Sequence, residues 1–226
     1  MTGSRMRNVV VTGGGTGIGK AIAAAFAQEG NAVVITGRRS DVLATAATEI
    51  GGNVIAVPFD AADPAQVERA LPELPATVDV LVNTAGGNTD IGAAEPATLA
   101  ELAAAWRANL DSNVLSAVLT TAALRPRLAR GGAVISFSSI AAHRPGAESY
   151  AAAKAAIEAW NQTLGHDAGA DEITANVIAP GFIDGTEFVR GRMTDARRET
   201  LIAQTATGRG GTPPDIAATV LFLASP

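Results

Sequence analysis

Asn8-Val9-Val10-Val11-Thr12-Gly13-Gly14-Gly15-Thr16-Gly17-Ile18-Gly19-Lys20-Ala21 is the stretch on which the fold turns. Its first five residues, Asn8–Thr12, are a short β-branched apolar run, the pattern of a strand buried on both faces. The glycines then let the chain turn sharply, and Gly17–Glu29 reads as an Ala-rich helix. A strand, a glycine turn and a helix in that order leave main-chain N–H groups open at a helix N-terminus, where a phosphate can approach them.

The same alternation continues along the chain. Ala32–Thr36, Val54–Phe59, Val78–Asn83, Ala133–Phe137 and Thr174–Ile178 read as further strands. Asp41–Ile50, Pro64–Leu71, Leu99–Ala108, Asn113–Ala129, Ser149–Ala168 and Ile216–Ala224 read as helices. The fold class is therefore α/β, a doubly wound parallel sheet of Rossmann-like type with helices on both faces. No repeat or linker divides the chain, so residues 1–226 are expected to form a single domain. Its Gly-, Thr- and Arg-rich stretch at 182–213 is expected to leave the sheet as a substrate lid.

Composition narrows the chemistry. The 226 residues are 47% apolar and 17% charged, with a net charge of −5, which argues against disorder and gives no electrostatic reason to expect nucleic acid or an anionic membrane. There is no Cys, which excludes thiolate catalysis, and only two His, so no multi-His metal centre is expected. Nothing resembles a signal peptide or a membrane span, and a cytoplasmic location is expected.

The glycine loop admits two nucleotide readings. Gly14–Lys20 fits the start of a P-loop, but Ala21 stands where a Ser or Thr hydroxyl is needed for Mg²⁺. The pattern that fits is T-G-x-x-x-G-x-G through Gly13, Gly17 and Gly19, which makes Gly13, Gly15, Thr16, Gly17, Ile18 and Gly19 candidate cofactor-binding positions. After the second strand, where an Asp or Glu would hold the 2′-hydroxyl of NAD, the chain has Gly37, Arg38 and Arg39. A small neutral residue leaves room for a 2′-phosphate, and Arg38 can pair with it, so NADP(H) is favoured over NAD(H). The alternative is that both arginines are solvated loop charges.

The single tyrosine, Tyr150, precedes Lys154 by four residues in a helical stretch, so the two share one face. Free tyrosine has a pKa of about 10. A neighbouring ammonium lowers it, which makes the pair an acid/base device that needs neither His nor Cys. Read without its context, the pair is equally compatible with a buried Tyr beside a surface Lys.

Thr12–Gly19, Asn83-Thr84-Ala85-Gly86, Asn113, Ser138-Ser139, Tyr150-x-x-x-Lys154 and Pro180-Gly181 occur in that order, and together they resemble the short-chain dehydrogenase/reductase family, with 3-oxoacyl reductases among its similar members. The resemblance covers Asn8 to Pro226 and implies hydride transfer between a ketone and a secondary alcohol, without a metal. It implies that Tyr150 exchanges the proton, and that Lys154 binds the nicotinamide ribose and depresses the Tyr150 pKa. Ser139, chosen over Ser138 on the Ser139-Ile140-Ala141-Ala142 pattern, would hold the substrate oxygen. Asn113, chosen over Asn109, would position a water in the proton relay. Asn83, Ala85 and Gly86 would support the adenosine side of the cofactor, and Asp60 would face the adenine. Pro180, Gly181 and Ile183 would line the nicotinamide, with Thr186 near its carboxamide or the pyrophosphate. The family implies a homodimer or homotetramer acting on a small carbonyl or alcohol. Against it the chain ends about one strand short, so the final C-terminal strand is expected to be missing. A second reading, from another class, is a sensor or scaffold that binds NADP without turnover.

Overall fold

A computed structural model describes residues 5–187 and 193–225. Six strands, β1 (Asn8–Thr12), β2 (Ala32–Gly37), β3 (Val54–Pro58), β4 (Val78–Asn83), β5 (Leu128–Phe137) and β6 (Thr174–Ile178), form one sheet in the order β3-β2-β1-β4-β5-β6. Every neighbouring pair is parallel. The helices are α1 (Gly17–Gln28), α2 (Ser40–Ile50), α3 (Pro64–Ala70), α4 (Leu99–Leu110), α5 (Ser116–Leu124), α6 (Glu148–Ala168), α7 (Asp195–Ala203) and α8 (Pro213–Leu223).

The central strand shows why the apolar runs do not alternate with polar residues. Val9, Val10 and Val11 are all 0% exposed. Successive side chains of a strand point to opposite faces, so both faces must be covered. Val9 and Val11 pack with Ile22 and Phe26 of α1, Leu43 of α2 and Val220 of α8. Val10 packs on the other face with Val67 of α3 and Leu124 of α5. Burying one side chain as large as Phe26 stabilises the fold by roughly 2–3 kcal/mol.

The strand order reverses between β1 and β4, which opens a crevice beyond the carboxyl ends of the strands. Thr12 lies level with Asn83, and Asn83 with Ser136. The loops that follow β1, β4 and β5 therefore leave the sheet along one rim, and the candidate site residues lie on them.

Three elements differ from the sequence expectations. The helices expected at 99–108 and 113–129 join through a π turn at Asp111–Leu115, because neither Gly nor Pro interrupts the chain between Leu99 and Leu124. β5 begins five residues earlier than its apolar core, and the sheet register shifts between Val78 and Val80 to accommodate Arg130-Gly131-Gly132. α7 lies inside the stretch expected to be irregular. It buries no side chain, so it has no apolar stripe to announce it, and Thr194 starts it by accepting a hydrogen bond from the Arg197 N–H at 3.2 Å.

The 182–213 stretch is pinched at its base. Ile183 forms a parallel bridge with Gly211, with Asp184 N donating to Gly211 O at 2.8 Å and Gly211 N to Phe182 O at 2.9 Å. Residues 188–192 of the expected lid lie outside the described residues. Among the described residues the sheet ends at β6 on that side.

Candidate active site

The nucleotide half of the rim is made of backbone. α1 begins after Thr16 with no side-chain cap and no acidic residue in its first turn. By contrast, Asp63, Thr98 and Thr194 each cap their helix with a side-chain oxygen. The first N–H groups of α1 are thus left for an anion. Close packing holds them in place: a Cβ on Gly19 would lie 2.3 Å from the Gly13 carbonyl oxygen. Ala85 N donates to Thr12 Oγ1 at 3.0 Å, which seats the β4–α4 loop beside the glycine turn. Gly15 lies against Val42 and Leu43, and Ile18 is partly buried against the α1 core. Buried Thr186 packs beside Gly17. These features fit a dinucleotide.

At the end of β2 a Cβ on Gly37 would meet only the Leu43 side chain among the described residues, at 3.8 Å. Arg39 Nη2 pairs with Glu187 Oε2 at 2.7 Å, whereas Arg38 is exposed and makes no ion pair among the described residues. Asp60 Oδ1 accepts from Ala62 N at 3.0 Å and so turns the chain at the β3 end of the rim. Across the crevice, Pro180 O accepts from Ile140 N at 3.1 Å, and Gly181 lies against the Ile140 side chain.

The opposite half of the rim is made of side chains. Tyr150 and Lys154 are 8% and 6% exposed, one turn apart on α6, with Lys154 Nζ 5.6 Å from the phenol ring centre. Lys154 Nζ donates to Phe137 O at 2.9 Å, and burial draws its ammonium down to about 8. Burial raises the Tyr150 phenol above its ordinary value, and a hydrogen bond with the Ser139 side chain offsets part of that rise. Lowering by Lys154 was the sequence expectation; in this geometry desolvation of the phenol dominates instead.

The adjacent serines separate cleanly. Ser139 Oγ accepts from Ala141 N at 3.2 Å and is hydrogen-bonded to Tyr150, so its hydroxyl faces the phenol. Ser138 points the other way, into α6. Its Oγ lies 2.5 Å from Glu158 Oε1 and 3.1 Å from Lys154 O, and its one proton serves one of them at a time. His143, largely exposed, also meets Glu158 Oε1, at 3.1 Å.

Two expected residues spend their side chains on bonds within the protein. Asn113 lies in the π turn with its amide fully engaged. Nδ2 lies 2.9 Å from Gly87 O, 2.9 Å from Asn109 O and 3.0 Å from Ser112 Oγ, and its two protons serve two of them at a time, while Oδ1 accepts from Gly87 N at 3.1 Å. The side chain pins the loop that follows β4. Gly86 is needed for this approach: its φ is +137°, and a Cβ there would meet Asn113 Oδ1 at 2.5 Å. Asn83 is buried and turned into the core, where its Nδ2 donates to Thr121 Oγ1 at 2.9 Å. It can support the cofactor side only through its backbone. Sequence reasoning passes over Asp90 and Ser149, which meet Asn109 beside Tyr150. Nothing in the spacing pairs position 90 with position 149.

A family profile described as enoyl-(acyl carrier protein) reductase matches residues 13–226. The chain is 37% identical over 229 residues to the 3-oxoacyl-[acyl-carrier-protein] reductase of Chlamydia muridarum, covering 96% of this chain and 89% of that protein. It is 30% identical over 226 residues to an NADP-dependent 3-hydroxy acid dehydrogenase of Shigella flexneri, covering 96% and 88%. A double mutant of a Serratia marcescens short-chain dehydrogenase/reductase superposes with a TM-score of 0.84 at 32% identity, covering 97% of this chain and 91% of that one. A blue fluorescent protein from a metagenomic library, solved with NADPH, gives the same score, identity and coverage.

Proposed function

The chain belongs to the short-chain dehydrogenase/reductase family and is an NAD(P)-dependent oxidoreductase; from that premise we propose that it uses NADP(H) to interconvert a ketone and a secondary alcohol. The observation that carries this reading is the hydrogen bond between Ser139 and Tyr150. Two hydroxyls that already meet can both donate to one substrate oxygen, which suits a carbonyl. Ser139, steadied by Ala141 N–H, holds that oxygen, and Tyr150 delivers the proton as the carbonyl becomes an alcohol. In oxidation Tyr150 takes the proton back. A nicotinamide, when bound, supplies or accepts the hydride. Lys154 lies one turn below the phenol and holds positive charge beneath it. Asn113 fixes the 86–87 loop through both polar main-chain groups of Gly87.

NADP(H) is favoured by the open space at Gly37 and by Arg38, which is free to meet a 2′-phosphate. A homo-oligomer belongs to the same reading. Leu99, Leu102 and Trp106 are exposed along one face of α4, Leu99 by 84%. The 182–213 stretch is read as the substrate lid of a single domain, a reading supported by its pinched base beside the crevice.

The experiment is NADPH oxidation with paired 3-oxoacyl and 2-enoyl thioesters. The 3-oxo substrate is expected to be reduced. The description of the matched profile favours enoyl reduction as a second reading, and turnover of the enoyl substrate alone would establish it. NADPH binding without turnover of any carbonyl would mark a cofactor sensor.

A further inference from the structure

Asp90, Asn109 and Ser149 close a ring of hydrogen bonds. Asn109 Nδ2 donates to Asp90 Oδ1 at 2.8 Å and to Ser149 Oγ at 2.7 Å. Ser149 Oγ donates to Asp90 Oδ2 at 2.8 Å. Asn109 Oδ1 accepts from Thr89 N at 3.1 Å. The protons balance: the amide uses one hydrogen for each partner, the hydroxyl gives its only one, and both carboxylate oxygens accept. Asn109 and Ser149 are buried, so each of these bonds is costly to lose.

The ring joins three elements at the site. Asp90 belongs to the loop after β4, Asn109 to α4, and Ser149 to the first turn of α6, next to Tyr150. The Asn109 carbonyl also accepts from Asn113 Nδ2 at 2.9 Å. One continuous set of bonds thus runs from Gly87 through Asn113 and Asn109 to the residue before the phenol.

We propose that Asp90 and Ser149 are positioning residues that, through Asn109, hold Tyr150 in its buried place against Ser139. The proposal rests on the reading of Tyr150 as the proton-transfer group. Asp90 must be a carboxylate in this role, because an amide at position 90 leaves either the Ser149 proton or the Asn109 proton without an acceptor. Loss of the ring lets the phenol move towards water. That favours its ionised form, and removing the Asp90 anion favours it further.

Tyr150 is the only tyrosine, so tyrosinate absorbance titrates this residue alone, without cofactor or substrate. Lys154, drawn to about 8 by burial, has lost its proton before the phenol titrates. Ser149→Ala is expected to lower the Tyr150 midpoint by about half a pH unit or more, and Asp90→Asn by more than Ser149→Ala. Ser149→Thr, which keeps the hydroxyl, should match wild type. If Asp90→Asn does not fold, the pair Ser149→Ala and Ser149→Thr decides. Unmoved midpoints, even with a lowered melting temperature, would overturn the proposal, and so would an equal shift in the Thr variant. With a carbonyl substrate, Ser149→Ala should lower kcat about tenfold while the KM for NADPH stays put. A protein inactive on every carbonyl would sink the assigned reaction and leave the titration to judge the ring.

Discussion

The β1–α1 turn and the segment from Ser138 to Glu158 face the same crevice, yet they build their halves of the site from different parts of the chain. The first offers main-chain N–H groups, fixed by glycines that let backbone touch backbone. The second offers hydroxyls and an ammonium, fixed by burial and by bonds that tie α6 to the end of β5 and the turn after it. A backbone site is written locally, in consecutive residues. A side-chain site depends on contacts that the chain makes only after folding. Mutations should therefore fail differently in the two halves: in the first by weakening cofactor binding, in the second by stopping turnover.

The largest effect should separate them outright. Tyr150→Phe is expected to lower kcat by about 10³-fold and leave NADPH affinity unchanged, as measured by steady-state rates and fluorescence titration. If affinity falls in parallel, the two halves are not independent.

Lys154 sharpens the contrast, because its burial opposes folding. Its ammonium titrates at about 8 in the fold, below the ordinary 10.5. Below pH 8 both states keep the proton and the cost is constant. Between about pH 8 and 10 the unfolded chain holds a proton that the fold has lost, so stability rises with pH. The rise should reach about 2–3 kcal/mol in urea unfolding of cofactor-free protein, and above pH 10 the raised phenol of Tyr150 opposes it. Lys154→Met should abolish the rise, stabilise the protein at pH 7 by a similar amount, and stop turnover. A variant no more stable than wild type would mean that the lysine is solvated.

Gly19→Ala tests the backbone half. The new methyl would lie 2.3 Å from the Gly13 carbonyl oxygen, so the turn must shift, at about 1–3 kcal/mol. Chemical unfolding reads the destabilisation, and NADPH titration should show weaker binding. The smallest effect is expected at Arg38, where exposure dilutes the charge pairing. Arg38→Ala should weaken NADPH by about tenfold and NADH hardly at all. Equal weakening of both would move the phosphate contact to Arg39, which now pairs with Glu187.

The contrast also explains what could be read from the sequence. Strand–helix alternation and the glycine spacing declare the sheet and its crevice, because each is a local pattern. Tyr150 and Lys154 are readable because one helix turn joins them. Ser139 over Ser138 follows from pattern alone, and the structure turns the two hydroxyls in opposite directions. Asn113 is expected to position a water and Asn83 to support the adenosine side; their side-chain amides bond the 86–87 loop and the core, which leaves their main chains for those roles. An amide shows no preference in sequence between ligand and backbone. The Asp90–Asn109–Ser149 ring is silent for a related reason: its members come from three elements, and one of them, the loop after β4, has no periodicity.

The bridge between Ile183 and Gly211 has a consequence beyond shape. The two ends of the excursion already meet on the scaffold, so whatever lies between them closes onto a fixed doorway. Doubling the length of a closed flexible loop adds only about 0.6 kcal/mol of closure entropy. The part of the excursion between Glu187 and Arg209 can therefore be exchanged as a cassette, replaced by shorter or longer segments from relatives, provided Thr186 and Glu187 keep their places against Gly17 and Arg39. Whatever selectivity that segment carries can then change by transplantation, without any change to β5 or α6.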